Sequence, residues 1–157
     1  MKYVIISPVR NEEKHLKETI RSVTKQTIKP SEWILVNDGS TDNTEKIIDD
    51  YLQKYKWIKK INLKDRGYYY PGTGVVGAFN AGYEKISIKD WNYIVKLDCD
   101  LKFQNDYFEN IFNRFEKNPK LGIASGCTYI TYNGDLKREP TQEDHPVGPS
   151  KIYKREC

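Results

Sequence analysis

The chain has 157 residues, 38% hydrophobic, 13% aromatic and 31% charged, with a net charge of +4. That length gives one domain with a real core, and no apolar run reaches the ~20 residues of a membrane span. The mild charge makes no case for nucleic acid as a partner. Three cysteines without a CxxC pair, and only His15 and His145 beside them, argue against a structural zinc and fit a reducing, cytoplasmic setting.

In chain order, "MKYVIISPVRNEEK" has no small-residue cleavage site, so its apolar stretch over 3–7 reads as a first strand. A helix follows over 12–26, with Leu16, Ile20 and Val23 on one face. "EWILVN" (32–37) is a second strand. The segment "DGSTDNTEKIIDDYLQKY" then predicts a helix opened by a capping box of Asp42 and Glu45. "WIKKINL" (57–63) is a weaker third strand. The lysines around it read as a solvated helix end and edge, with contact to an anionic membrane surface or substrate as the other candidate.

Gly67, Pro71, Gly72 and Gly74 make "KDRGYYYPGTG" a loop. "VVGAFNAGYEKI" is a short helix, "WNYIVKL" the fourth strand, and Phe108, Ile111, Phe112 and Phe115 mark another helix. "LGIASGCTYITY" ends the regular part, with Asn133-Gly134 as a hairpin turn. The proline-rich, charged tail reads as a loop and the beginning of another element, and the chain stops at Cys157 with no closing signal, as a truncated domain would.

Strand–helix alternation implies an α/β fold, a single Rossmann-like domain with a mostly parallel sheet covered by helices on both faces. Ligands bind such sheets beyond the carboxyl ends of the strands. That rule gathers "PVRNEE", "DGSTDN" and "DCDLKF" on one rim.

Asp98 and Asp100 end a buried strand, where two carboxylates repel unless a cation is shared between them. A hard ion, Mn²⁺ or Mg²⁺, takes oxygen ligands and is commonly completed by substrate phosphates. A strand end followed by a helix cap is the bland reading of the same pair, and Cys99 between them reads as packing. Asp38 before Gly39 fixes a short carboxylate at a sharp turn, able to accept the N–H of a nucleobase or only to form an Asx-turn. Glu12 and Glu13 also suit a plain helix entry.

"GTGVVG" (72–77) spells the dinucleotide fingerprint, but that mechanism needs the first glycine directly after the first strand of a βαβ unit. Its glycines instead suit a backbone running close to phosphates or ribose, with Arg66 as charge partner. His145 is either a third metal ligand or a solvated loop residue.

The ordered set "VIISPVRNEEKHLKETIRSVTKQTIKPSEWILVNDGSTDNTEKII", "GAFNAGYEKI" and "YIVKLDCDLKF" resembles the family 2 inverting glycosyltransferases of the A-type, nucleotide-diphospho-sugar transferase fold, over roughly residues 3–117. The resemblance implies that Pro8, Arg10, Asn11 and Glu12 form the first donor loop, with the acid on the nucleoside. It implies that Asp38 is the second acid of an Asp-Asp-Gly-Ser motif that holds the base, usually uracil; Asn37 replaces the first. It places Asn80, in "AFNAG", near the donor. Asp98 then lies by the ribose and metal, and Asp100 is a direct metal ligand.

The implied reaction moves a sugar from a nucleoside-diphosphate sugar to an acceptor hydroxyl with inversion, the acceptor being a saccharide, lipid or protein. It needs a general base. Glu139, Glu143 and Asp144 are the late acids available, none in a recognisable base motif, so the base is expected beyond Cys157. Two other readings compete: a binding module without turnover, and a nucleotidyltransferase. The latter wants a glycine- and lysine-rich loop after strand one, which "SPVRNEE" lacks.

Overall fold

The computed structural model describes residues 1–65, 73–140 and 146–157. Arg66, Glu143, Asp144 and His145 lie outside the described residues. In chain order the elements are β1 (Tyr3–Val9), α1 (Leu16–Thr24), β2 (Glu32–Asp38), α2 (Thr44–Leu52), β3 (Ile58–Leu63), α3 (Thr73–Tyr83), β4 (Tyr93–Leu97) and α4 (Tyr107–Lys117). They are followed by β5 (Ile123–Ala124), β6 (Tyr129–Tyr132), β7 (Asp135–Arg138) and β8 (Ser150–Lys154).

Six strands form one sheet in the order β3-β2-β1-β4-β8-β5, and β6 and β7 form a separate hairpin. β1 pairs in parallel with β2 and β4, and β2 with β3. β8 runs antiparallel to β4 and to β5. The sheet is therefore mixed at one side, where the tail returns into its interior.

Period-two alternation sends successive side chains of each strand to opposite faces. Tyr3, Ile5, Trp33, Leu35, Tyr93, Val95 and Leu97 pack with Leu16, Ile20 and Val23 of α1, Ile47 and Ile48 of α2, and Phe108 and Phe112 of α4. Val4, Ile6, Ile34, Val36 and Ile94 pack on the other face with Ala78 of α3 and Trp91. α3 sits close because Gly82 has no side chain: a Cβ there would meet Ile6 Cγ2 at 2.6 Å.

Two local expectations are corrected. α1 begins at Leu16 rather than Glu12: residues 13–15 form a turn ahead of it, in which the His15 and Leu16 N–H groups share the Glu12 carbonyl. The capping box does not close. Asp42 accepts the Thr44 N–H at 2.9 Å, but Glu45 turns outward to Lys60 and Asn62 of β3. The Asn133-Gly134 turn is as expected, with φ of 52° and 87°.

Candidate donor site on the sheet rim

The strand order places a switch point between β1 and β4, where connections leave in opposite directions and a crevice opens at the carboxyl ends. The β1–β4 ladder ends at Ile6–Lys96, and Pro8, which has no N–H to donate, lies just beyond it. Arg10, Asn11 and Glu12 continue from β1, Asp38 ends β2, and Asp98 and Asp100 follow β4.

The loops after β1 and β2 are fastened to each other by side chains. Asn11 sits in the left-handed region (φ 55°), and its Oδ1 accepts the Thr41 N–H at 2.8 Å. Asn11 N–H donates to Ser40 Oγ and Glu12 N–H to Thr44 Oγ1. Glu13 and Asp42 reciprocate: Asp42 Oδ2 accepts the Glu13 N–H, and Glu13 Oε2 accepts the Asn43 N–H. Burial pushes the Asp42 carboxyl up, but hydrogen bonds from Thr44 and Glu13 outweigh it and leave the group below the usual range.

Arg10 joins a third loop. Its guanidinium donates to the Asp38 carbonyl and pairs with Asp65 at 2.9 Å. Gly39 makes that closure fit, since its φ is +67° and a Cβ would stand 2.5 Å from Asp65 Cα. Asn37, which replaces an acid of the family motif, accepts the Ser40 N–H and bonds to Asn62. It shapes the turn. Asp38 itself is buried at the rim.

Asp98 is half-buried, Cys99 fully buried and Asp100 exposed, so the two acids face away from the core while the cysteine packs into it. Burial raises the Asp98 carboxyl above the ordinary range; a hydrogen bond from Lys96 opposes the shift and the Asp100 charge adds to it. Glu12 is also raised, first by burial and then by the charge of Asp100, with Asp98 and Asp42 contributing and His15 opposing. Acids from three loops thus share one field.

Lys96 pairs with Asp98 and reaches the Gly148 carbonyl at 3.2 Å, and Asp98 N–H donates to the Pro149 carbonyl at 2.8 Å. Lys96 escaped the sequence reading because a lysine inside a strand looks like an edge residue. The one signal was its place two residues before Asp98, on the same strand face. Asn80 is on the exposed side of α3, with no side-chain hydrogen bond to a described residue, and joins none of these acids. Gly74 and Gly77 fall inside α3, after β3, which is the wrong place for a dinucleotide fingerprint.

Among the described residues no group of three His, Cys, Asp or Glu side chains is arranged to hold a metal ion by itself. A half-buried carboxylate and an exposed one at the same strand end nonetheless suit a hard cation that keeps waters and takes its remaining ligands from phosphate. The donor set fits.

The profile of Glycosyl transferase family 2 matches residues 4–156. The chain belongs to glycosyltransferase family 2. It is 32% identical over 116 residues to a poly-beta-1,6-N-acetyl-D-glucosamine synthase of Staphylococcus epidermidis, an overlap of 74% of this chain and 26% of that protein. Its fold matches TarS 1-349 of S. aureus in complex with UDP, with a TM-score of 0.72 at 22% identity, covering 98% of this chain and 47% of that one. It also matches a mannosyltransferase of Pyrobaculum calidifontis in complex with GDP-Man and Mn2+, with a TM-score of 0.67 at 16% identity, covering 99% and 45%. The chain thus spans between about a quarter and just under half of these proteins' lengths. No helix among the described residues is long and apolar enough to cross a membrane.

Proposed function

We propose that residues 1–157 form the donor-binding domain of a metal-dependent, inverting glycosyltransferase acting on a nucleoside-diphosphate sugar, a UDP-sugar first among them. The observation that carries this reading is the strand order, which brings the loops bearing Glu12, Asp98 and Asp100 to the carboxyl ends of the neighbouring strands β1 and β4, close enough for the charges of both aspartates to raise the Glu12 carboxyl. Three acids there make a poor seat for an anion unless a cation comes with it. The relatives add support, since one solved structure holds UDP and another holds GDP-Man with Mn2+.

In this reading Asp38 accepts an N–H of the base, and the fastened loops around Arg10 and Asn11 keep its carboxylate in place. Glu12 faces the nucleoside. Asp98 and Asp100 hold Mn²⁺ or Mg²⁺, which when bound neutralises charge on the diphosphate leaving group. The rim positions the donor so that an acceptor hydroxyl attacks the anomeric carbon from the side opposite the leaving oxygen. The acceptor's proton passes to a base outside the residues assigned here.

Calorimetry with UDP in the presence and absence of Mn²⁺, paired with an assay of sugar release from a UDP-sugar, tests the reading. Mn²⁺-dependent binding with release supports an enzyme. Binding without release supports a donor-binding module, and absence of binding refutes both.

A further inference from the structure

The segment bearing Asp98 and Asp100 leaves the sheet after Leu97 and forms no helix or strand until α4 starts at Tyr107. No ladder fixes its carboxylates, so other groups must. α1 supplies them. Thr19 is fully buried on that helix. Its hydroxyl lies 2.8 Å from the Cys99 carbonyl and 2.8 Å from the Leu101 carbonyl, and accepts the Leu101 N–H at 3.1 Å. With one proton it donates to one carbonyl at a time, while its lone pair holds the amide. These contacts straddle Asp100.

The far end of the segment is tied separately. Gln26, also buried, donates from Nε2 to the Gln104 carbonyl at 2.7 Å and accepts the Phe108 N–H at 3.2 Å. The same turn bonds Thr27 N–H to the Asn105 carbonyl at 2.7 Å. Two buried polar side chains of one region therefore hold two points of the acid-bearing loop, and among the described residues only the Thr19 side chain bonds to the peptides on either side of Asp100.

We propose that Thr19 is a positioning residue for the cation and diphosphate: it sets the backbone around Asp100, and through it the direction of that carboxylate. This rests on Asp98 and Asp100 as the cation's ligands. A threonine that merely fastened α1 to the loop would contribute stability and leave cation affinity alone. Groups hydrogen-bonded to a metal's ligands typically alter affinity by about 10–100-fold when lost, and Thr19 acts one step further back, through the backbone, so the low end of that range is expected.

The test measures Mn²⁺ binding in the presence of UDP by the paramagnetic resonance of free Mn²⁺, and UDP affinity without metal by calorimetry. Thr19→Val keeps the shape and removes the hydroxyl; it is expected to weaken Mn²⁺–UDP binding about ten-fold. Thr19→Ser restores it to within about two-fold, and metal-free UDP affinity is unchanged throughout. Gln26→Leu serves as the control that loosens the other end, and it leaves Mn²⁺ affinity within about two-fold. Wild-type affinity in Thr19→Val, or an equal loss in Gln26→Leu, overturns the proposal while the donor site stands. Should Thr19→Val not fold, Thr19→Ala removes the hydroxyl without adding a second methyl group, and unchanged affinity there overturns it as well. A wild-type chain that binds no Mn²⁺ with UDP overturns both the proposal and the donor site.

Discussion

At the β1–β2 end of the rim, polar side chains of two loops are used up in bonding to each other. Asn11, Glu13, Ser40, Asp42 and Thr44 each make at least one bond across the gap, and Arg10 draws in the residue after β3's loop begins. At the β8–β5 end the opposite holds. Four of the eight large hydrophobic side chains exposed among the described residues (Tyr129, Ile130, Tyr132 and Leu136) lie on the β6–β7 hairpin, which pairs only with itself. The contrast separates a region built before its ligand arrives from one whose surface is uncovered. Asp98 and Asp100 sit between the two, held on one side by Lys96 and on the other by α1.

Breaking that middle region has the largest expected effect. Asp100→Ala abolishes Mn²⁺-dependent UDP binding while the melting temperature stays within about 2 °C, because an exposed rim carboxylate contributes little to the core. Wild-type affinity by calorimetry would remove Asp100 from the site. Asp38→Ala weakens UDP binding with and without metal by about 10–100-fold, the range for a hydrogen bond to a charged group. Equal affinity would end its role in reading the base.

A third prediction uses pH. The raised carboxyls of Asp98 and Glu12 take up protons at a higher pH than ordinary ones, whose pKa is ~4. Mn²⁺–UDP affinity therefore falls as pH drops through those raised values, before ordinary carboxylates are neutralised. The contribution of these two groups to metal-free stability goes the other way, whereas Asp42 and Glu32, held below the usual range, lose theirs only at lower pH. A raised folded-state pKa gives stability that is fully present below the unfolded value and lost as pH rises through the folded one. Affinity and stability falling in parallel within the window above pH ~4, before the lowered carboxyls titrate, would contradict this assignment.

Asn11→Ala sharpens the comparison at the built end. It removes the bond to Thr41 and leaves a residue ill-suited to a positive φ, costing about 1–2 kcal/mol in denaturant unfolding and a few-fold in UDP affinity. Smallest of all is Tyr129→Ser on the hairpin, expected within about 0.5 kcal/mol in stability and with no change in UDP binding.

Much of this was legible in the sequence because strand and helix periods alternate cleanly up to α4, and because the acids fall at strand ends. What was hidden depended on pairing across long stretches of chain. β8 has one fully buried side chain, Ile152, among lysines and a tyrosine, so nothing local marks it as an interior strand between β4 and β5. The capping box failed for a similar reason: Glu45 found Lys60 and Asn62 on a strand that no helix-local rule considers. Residues that resemble donor-loop positions also do structural duty. Asn11 and Asn37 shape turns, Arg10 locks loops together, and Asn80 stands apart from the acids. Sequence spacing located the rim well and said little about which of its side chains the fold already uses.

The most direct measurement is a crystal structure of the chain with UDP and Mn²⁺. An ion held by an Asp100 oxygen and the diphosphate, with the base against Asp38, is the predicted arrangement. An ion bound elsewhere, or UDP lying outside the β1–β4 crevice, would contradict it.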